Sequence, residues 1–451
     1  MAVACTNQPM AIHGGRPLRG EVAIGGYKHA LTVVAAAAVA AGRRVTLRNV
    51  PMTTEVRVLA EILGQMGARS ELSGGDHLWE LDTRPMRSVP VPAELSRRIH
   101  GSLYLAPAML ARFGSVSFAG AGGDRIGPVE LGGARPTAQV AAVMERFGAV
   151  VDVDASGGIH AAARSLRGCT LDLLEFSSHA SRLRGPAACS ATKTALLLGA
   201  MAGGETGLRN PVDREATREL GDFLRVCGAS VTRAPDGWRV RGGATSGPPL
   251  AHDLISDSTE IVTFAVCAAI TGGSLLLTGI TGERSWPAIA EELRVLRQAG
   301  VPVEHGRDWL RVDAGGSLRP CDVEIECNGL STDAHPLLAL LLLGAGGESR
   351  ITDHVWTNRF AYAELLEAMG GRVEVRRPTI HLWQSVLGPP AAPLRPTDSR
   401  AAAVAVLAGL AAPGSTTIED AGHLDRGYER LAERLRSVGA QLEPTGSAAV
   451  R

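Results

Sequence analysis

Lys28 stands in the stretch Glu-Val-Ala-Ile-Gly-Gly-Tyr-Lys-His-Ala (residues 21–30), directly after a short apolar segment and two glycines. It and Lys193 are the two lysines among 46 basic residues. The other cations are arginines, planar forks that never give up a proton, whereas lysine is a compact point charge that can pass one on. Chance would leave a lysine anywhere. The glycines beside Lys28, where backbone can approach a ligand closely, favour a chemical reason for this one.

Four further regions carry polar groups that a packed core does not need. Ala119–Pro136 (AGAGGDRIGPVELGGARP) is Gly-rich, long enough for a mobile loop, and holds Asp124 and Arg135. Cys189-Ser190-Ala191-Thr192-Lys193-Thr194 should open a buried helix, whose first N–H groups form a natural phosphate seat reinforced by Lys193. The Gly-Lys-Ser/Thr core of a Walker loop is absent there. Ser331-Thr332-Asp333 precedes an apolar helix, and taken alone Asp333 is more cheaply explained as an N-cap than by chemistry. Last come Thr357-Asn358-Arg359-Phe360, Thr397-Asp398-Ser399-Arg400 and His423-Leu424-Asp425-Arg426-Gly427-Tyr428, where surface ion pairs are the plain alternative. Taken together, Lys28, Arg135, Lys193, Arg359, Arg400 and Arg426 stand alongside Asp124, Asp333 and Asp398. Cations from both halves of the chain suggest a cleft between domains that closes on a polyanion, with carboxylates to move protons.

The elements that must hold these groups repeat. A one-sided helix, a glycine and an alternating apolar segment recur around Gly67, Gly148, Gly228, Gly300, Gly370 and Gly439. A glycine after the last helical turn supplies a left-handed cap, and the run that follows reads as a strand. Interleaved with these are Ala/Leu-rich helices that are apolar all round, such as VVAAAAVAAG and LLALLLLGAG, which reads as burial on every side. Six such units predict two domains of three, in preference to a solenoid. The Gly/Pro/Ser stretch Arg241–Pro249 marks the expected crossing. The expected domains are residues 28–248, with the loop 119–136, and residues 1–27 plus 249–451.

Composition narrows the function. With 46 basic and 46 acidic residues the formal net charge is zero, which removes the electrostatic case for nucleic-acid binding. Seven scattered cysteines without CxxC spacing read as free thiols, with no zinc or disulfide framework. The longest apolar runs fall short of the ~20 residues that span a bilayer. The N-terminal ten residues carry no leader pattern, so a cytoplasmic protein is expected.

The motifs GEVAIGGYKHAL, LARFGSVSFAG, GGARP, STDAHPLL, VWTNRFAYAELLEAMGG, PTDSRAAAVAVLAG and HLDRGYERLAERLRSVGA together resemble the UDP-N-acetylglucosamine enolpyruvyl (1-carboxyvinyl) transferases, from about Gly14 to Pro444. The related enolpyruvylshikimate-phosphate synthases open with Gly-Ser-Lys-Ser, where this chain has Gly-Tyr-Lys-His-Ala. The resemblance implies an inside-out α/β barrel fold of two domains, each with three βαβαββ-type units. The N-terminal strand would join the C-terminal domain, and the site would lie in the interdomain cleft. It implies addition of an acceptor hydroxyl to C2 of phosphoenolpyruvate, protonation at C3 and loss of phosphate, without metal or organic cofactor. By the match, Lys28, Arg135 and Arg426 bind the phosphate, with Arg400 in the same site, and Arg359 with Arg426 steadies the carboxylate. Asp333 is the base near the acceptor hydroxyl, and Lys28 with Asp398 serves proton transfer and phosphate departure.

The departures cluster on the acceptor side. The family's Asn after the lysine is His29, its Arg before the Ser-Leu-Tyr helix is His100, and its Glu before Asn-Arg-Phe is Thr357. The Asp-Leu-His triplet after Arg-Pro is Ala138-Gln139-Val140, and the family lysine before the third buried helix is Pro186. Ser190 and Lys193 farther on could hold an acceptor phosphate. A paralogue with a different acceptor is therefore expected, most plausibly UMP, as in the enolpyruvyl transferases of peptidyl-nucleoside antibiotic pathways. The alternatives are the ordinary cell-wall enzyme with a drifted pocket, and a catalytically inactive binding homologue. The family's loop nucleophile, usually Cys, is Asp124, an acid that burial could equip to protonate C3. Insensitivity to the thiol-alkylating antibiotic fosfomycin is the expected outcome; a covalent adduct on residue 124 by mass spectrometry would contradict it.

Overall fold

The computed structural model describes residues 9–124, 136–177, 188–244, 247–313 and 315–445. The chain forms two compact units, Gly26–Ile255 and Met1–Gly25 with Ser256–Arg451. Each has its own apolar core, the first drawn from residues between Leu31 and Leu254, the second from Ile12–Ile24 and residues beyond Ile261.

Three buried helices lie within each core. In Gly26–Ile255 they are Lys28–Ala41, Leu105–Phe113 and Cys189–Met201; in the other unit they are Ser258–Thr271, His335–Leu342 and Ser399–Ala411. Within each unit these three touch one another. Ala and Leu make this possible, since small side chains let backbones approach and no face needs to meet water. In Lys28–Ala41 every residue but His29 is buried. More polar helices, such as Thr54–Gln65 and Glu215–Val226, bury one side only.

Among the described residues the strands fall into six small sheets with one recurring order. Leu250–Asp253 runs parallel to Arg44–Arg48, which pairs antiparallel with Leu78–Asp82, which pairs antiparallel with Arg69–Ser73. The same order holds for Thr170–Asp172, Glu205–Arg209, Gly237–Arg241 and Ser230–Ala234. It holds again for Arg19–Ala23, Ser274–Thr278, Leu310–Asp313 and Val303–His305, and for Asp322–Ile325, Glu348–Asp353, Thr379–Trp383 and Arg372–Arg376. In the two three-stranded sheets the parallel partner shrinks to one bridge, Val91 on Phe118 and Leu394 on Ile418. The six glycines singled out by the helix–glycine–strand pattern have φ of 94, 94, 106, 89, 91 and 103°, for residues 67, 148, 228, 300, 370 and 439. This is the left-handed turn that converts each helix end into a strand.

Two boundaries differ from expectation. The chain leaves the first unit after Ile255, past the Gly/Pro/Ser stretch, because Leu250–Asp253 is hydrogen-bonded to Arg44–Arg48 and completes that sheet. Gly26 and Tyr27 also belong to this unit, Tyr27 N–H donating to Ile255 O at 2.8 Å. No helix among the described residues is long and apolar enough to cross a membrane.

The N-terminal strand Met10–Gly14 lies between Gly414–Ile418 and Gln441–Pro444, in the middle of its sheet. Ile12, fully buried there, pairs with Thr416 and Leu442. Ile12→Ala is expected to destabilise the protein by about 2–5 kcal/mol, read from urea unfolding midpoints.

Candidate active site

Within Gly26–Ile255 the Lys28 environment is built by close packing. Gly26 must be glycine, because a Cβ would meet Asn49 O at 1.8 Å. Lys28 then opens its helix with the ammonium largely buried, 2.8 Å from Glu55 Oε2. The second oxygen of Glu55 accepts from Gly101 N–H at 3.0 Å. Gly101 has no room for a side chain either, since Thr32 Cγ2 lies 2.4 Å from the position of a Cβ. Burial pushes the Glu55 carboxyl up, but the Lys28 ammonium, His29 and His100 outweigh it and hold it well below the ordinary range. Glu55 is therefore an anion, and Lys28 is fixed by a charge-assisted bond.

From this pair a run of rings and cations extends through the unit. His29 meets His100 edge to face at 6.4 Å, His100 meets Tyr104 at 6.0 Å, and Lys193 Nζ stands 5.4 Å from the Tyr104 ring centre. Tyr104 lies beside Ser190 and Lys193, and burial raises its ionisation above the ordinary value. Burial also works against the Lys193 cation, but Cys189 and Tyr104 beside it more than compensate. The expected acceptor residues His29, His100, Ser190 and Lys193 are thus brought together, with Tyr104 as an unforeseen link. The helix bearing Lys193 starts at Cys189 without a side-chain cap. Asp124 is partly buried and follows Gly122, whose N–H donates to Ser96 O and Ile99 O next to His100. Arg135 and Pro186 lie outside the described residues.

The other unit assembles a second cluster. A cap is the favoured explanation of Asp333 taken alone, yet the helix His335–Leu342 starts from Ala334 without any side-chain cap. Asp333 instead holds two arginines: Oδ1 lies 2.6 Å from Arg359 Nη2 and Oδ2 lies 3.3 Å from Arg400 Nη2. Both guanidiniums are buried, and Arg359 Nε and Arg400 Nη1 have no hydrogen-bond partner among the described residues. Two fixed cations on one carboxylate, with two buried donors to spare, make an anion seat. Arg400 also lies over the Tyr428 ring at 5.2 Å.

Arg426 is on the one-turn helix Leu424–Gly427, and its neighbour Gly427 packs on Ser399, with Arg400 Nη1 3.6 Å from where a Cβ would stand. Thr357 is half-buried on the turn leading to Arg359. Asp398 has a structural task. Its Oδ1 accepts from Arg400 N–H at 2.8 Å and Ala401 N–H at 2.9 Å, capping the helix Ser399–Ala411.

Sequence reasoning passed over Glu55, Tyr104, Asp257, His335, Asp353 and Tyr362. A buried lysine demands an acid, but Glu55 sits in the first turn of a one-sided helix, where acids are ordinary. His335 opens an otherwise apolar helix and Asp353 ends a strand. Either could have been flagged as a buried polar group needing a partner.

Each of the two mixed α/β units, built on repeated small sheets, holds a carboxylate beside cationic groups: Glu55 at Lys28, and Asp333 at Arg359 and Arg400. A family model described as EPSP synthase (3-phosphoshikimate 1-carboxyvinyltransferase) matches residues 12–435, and the chain belongs to this family of enolpyruvyl (carboxyvinyl) transferases. A UDP-N-acetylglucosamine 1-carboxyvinyltransferase of Anaeromyxobacter dehalogenans (strain 2CP-C) is 35% identical over 436 residues, covering 96% of this chain and 98% of its own. Among solved structures, the enolpyruvyl transferase NikO from Streptomyces tendae aligns with a TM-score of 0.89 and 34% identity, over 97% of this chain and 98% of that one. An EPSP synthase from Acinetobacter baumannii shares the fold, with a TM-score of 0.71, 18% identity and coverage of 97% and 99%.

One acid beside the anion seat is poised near neutrality. Asp257 caps the helix Ser258–Thr271 through Thr259 N–H and Glu260 N–H and faces Glu260, Arg400 and Tyr428. Burial and the Glu260 charge push its carboxyl up to about 7, against the pull of Arg400. A carboxyl raised above its unfolded value near ~3.9 contributes stability below that value and loses it as pH climbs toward 7. Asp257→Asn keeps an oxygen for the cap and removes the titration. Its unfolding midpoint relative to the parent should therefore rise between pH 5 and pH 8.5, whereas a difference independent of pH would show that Asp257 ionises normally.

Proposed function

We propose that the chain transfers the enolpyruvyl group of phosphoenolpyruvate to a hydroxyl of a uridine nucleotide, UMP being the favoured acceptor, and releases phosphate. The observation that carries this reading is the Asp333 seat: a carboxylate between two buried guanidiniums that retain unfilled donors, Arg359 Nε and Arg400 Nη1. A substrate that brings a carboxylate and a phosphate to such donors fits it, and phosphoenolpyruvate is that kind of molecule.

In this reading Arg359 and Arg426 take the carboxylate, while Lys28, Arg400 and Arg135 take the phosphate. Asp333 accepts the acceptor's hydroxyl proton as its oxygen bonds to C2. C3 gains a proton from Asp124 or Lys28, and the intermediate carries both the acceptor oxygen and the phosphate on C2. The C2–O bond to phosphate then breaks, C3 gives up a proton, and the double bond returns. Lys28 is suited to this because Glu55 fixes its position while its point charge can follow the departing oxygen. Positioning and preorganised charge supply the rate. Asp398 supports the site through the backbone of Arg400.

UMP is favoured by the rewritten acceptor cluster. His29 and His100 replace the polar and cationic residues usual in the UDP-sugar enzymes, and Lys193 with Ser190 adds a cation and a hydroxyl suited to a phosphate. A second reading, UDP-N-acetylglucosamine as acceptor, is favoured by the names of the curated relatives. Phosphate release from phosphoenolpyruvate distinguishes them. Release with UMP at a kcat/KM at least tenfold above that with UDP-N-acetylglucosamine is expected. The opposite ranking would transfer the protein to the cell-wall reaction, and release with neither would overturn both readings.

A further inference from the structure

His335, Asp353 and Tyr362 take no part in the chemistry above, yet they form a closed polar chain in the core beneath Arg359. Asp353 and His335 are fully buried and Tyr362 nearly so. Asp353 Oδ1 accepts from Val355 N–H and Trp356 N–H, both at 2.8 Å, folding the turn that leads to Arg359. Its Oδ2 accepts from Thr332 Oγ1 at 2.6 Å and from His335 Nδ1 at 3.1 Å. Burial raises the Asp353 carboxyl, but His335, Thr332 and the Trp356 N–H together hold it below the ordinary range.

A carboxylate can only accept, so the direction of every bond around it is fixed. The single hydroxyl proton of Thr332 goes to Asp353, leaving the Thr332 oxygen to accept from Arg359 Nη1 at 3.4 Å. Likewise His335 carries its proton on Nδ1, and in the neutral ring Nε2 accepts from the Tyr362 hydroxyl at 2.7 Å. The His335 ring also packs edge-on against Phe360, the residue after Arg359. One carboxylate therefore ties together the segment bearing Asp333 and the segment bearing Arg359.

We propose that Asp353, acting through Thr332 and braced by His335 and Tyr362, is a positioning residue that holds the Arg359 guanidinium on Asp333 with its Nε available to a ligand carboxylate. The role of Arg359 toward phosphoenolpyruvate rests on the function proposed above; the positioning itself does not.

The near-isosteric pair Thr332→Val and Thr332→Ser tests this, with Asp353→Asn as an independent variant that reverses the chain by placing an N–H₂ where the carboxylate accepts. Thr332→Val should raise KM for phosphoenolpyruvate about 10-fold, the factor carried by one hydrogen bond to a charged group. The KM for the nucleotide acceptor should stay within about twofold, and Thr332→Ser should restore the parent value. Asp353→Asn should behave like Thr332→Val. A second readout needs no turnover: the Nε–H signal of Arg359 in arginine-¹⁵N-labelled full-length protein, assigned by its loss in Arg359→Lys. It should broaden in Thr332→Val and return in Thr332→Ser. An unchanged Arg359 signal in Thr332→Val, or equal losses in the Val and Ser variants, would overturn the proposal. If the parent releases no phosphate with any acceptor, the functional reading fails and the Arg359 signal still decides the positioning.

Discussion

A lysine ammonium withdrawn from water must have an anion beside it, and in this protein that demand organises the whole neighbourhood of Lys28. Glu55 meets it from another helix, and its second oxygen is occupied by the Gly101 N–H, so neither oxygen is left without a partner. The glycines follow from the same demand. Gly26 and Gly101 occupy points where any side chain would strike backbone or Thr32 and push the ion pair apart. Breaking a buried pair on one side leaves an uncompensated charge, which is far costlier than removing both partners. The arrangement therefore constrains three separate stretches of chain at once.

The second unit meets the converse condition, gathering more cationic charge than the one carboxylate beside it can neutralise. Asp333 neutralises one of the two guanidiniums it touches, and the excess charge stays fixed in a buried position. Tyr428 beneath Arg400 contributes the face of a ring, which attracts the cation. Its own hydroxyl is tied to Thr263 at 2.9 Å. Donors kept free in this way are strong toward an incoming anion because little reorganisation is needed when it arrives.

Much of this was legible from residue order, and the exceptions have physical causes. The helix–glycine–strand pattern located the six turns because a left-handed residue after a helix is a local property of the backbone, and local properties are written locally. The all-apolar helices were legible for the same reason. The unit boundary was displaced because Leu250–Asp253 obeys a partner some 200 residues earlier, Arg44–Arg48, whose pull no window of sequence records. Asp333 and Asp398 show the limit most clearly. Both precede buried helices and both look like caps, yet Asp398 caps and Asp333 does not. What separates them is the position of Arg359, a tertiary fact. Glu55 and Asp353 were passed over because each is locally unremarkable, one in a first helical turn and the other at a strand end.

The placement of Met10–Gly14 in the middle of the sheet formed with Gly414–Ile418 and Gln441–Pro444 bears on the order in which the protein can be made. Both partners of Met10–Gly14 are translated long after it. That strand cannot form this sheet until they have been made, because a sheet cannot close on a neighbour that does not yet exist. Gly26–Ile255, by contrast, draws its strands from one continuous stretch and can complete its core while the remainder is still being translated. Long-range pairing of this kind slows folding by delaying the contacts that repay loop closure. Pairing of Met10–Gly14 therefore waits on segments translated long after it.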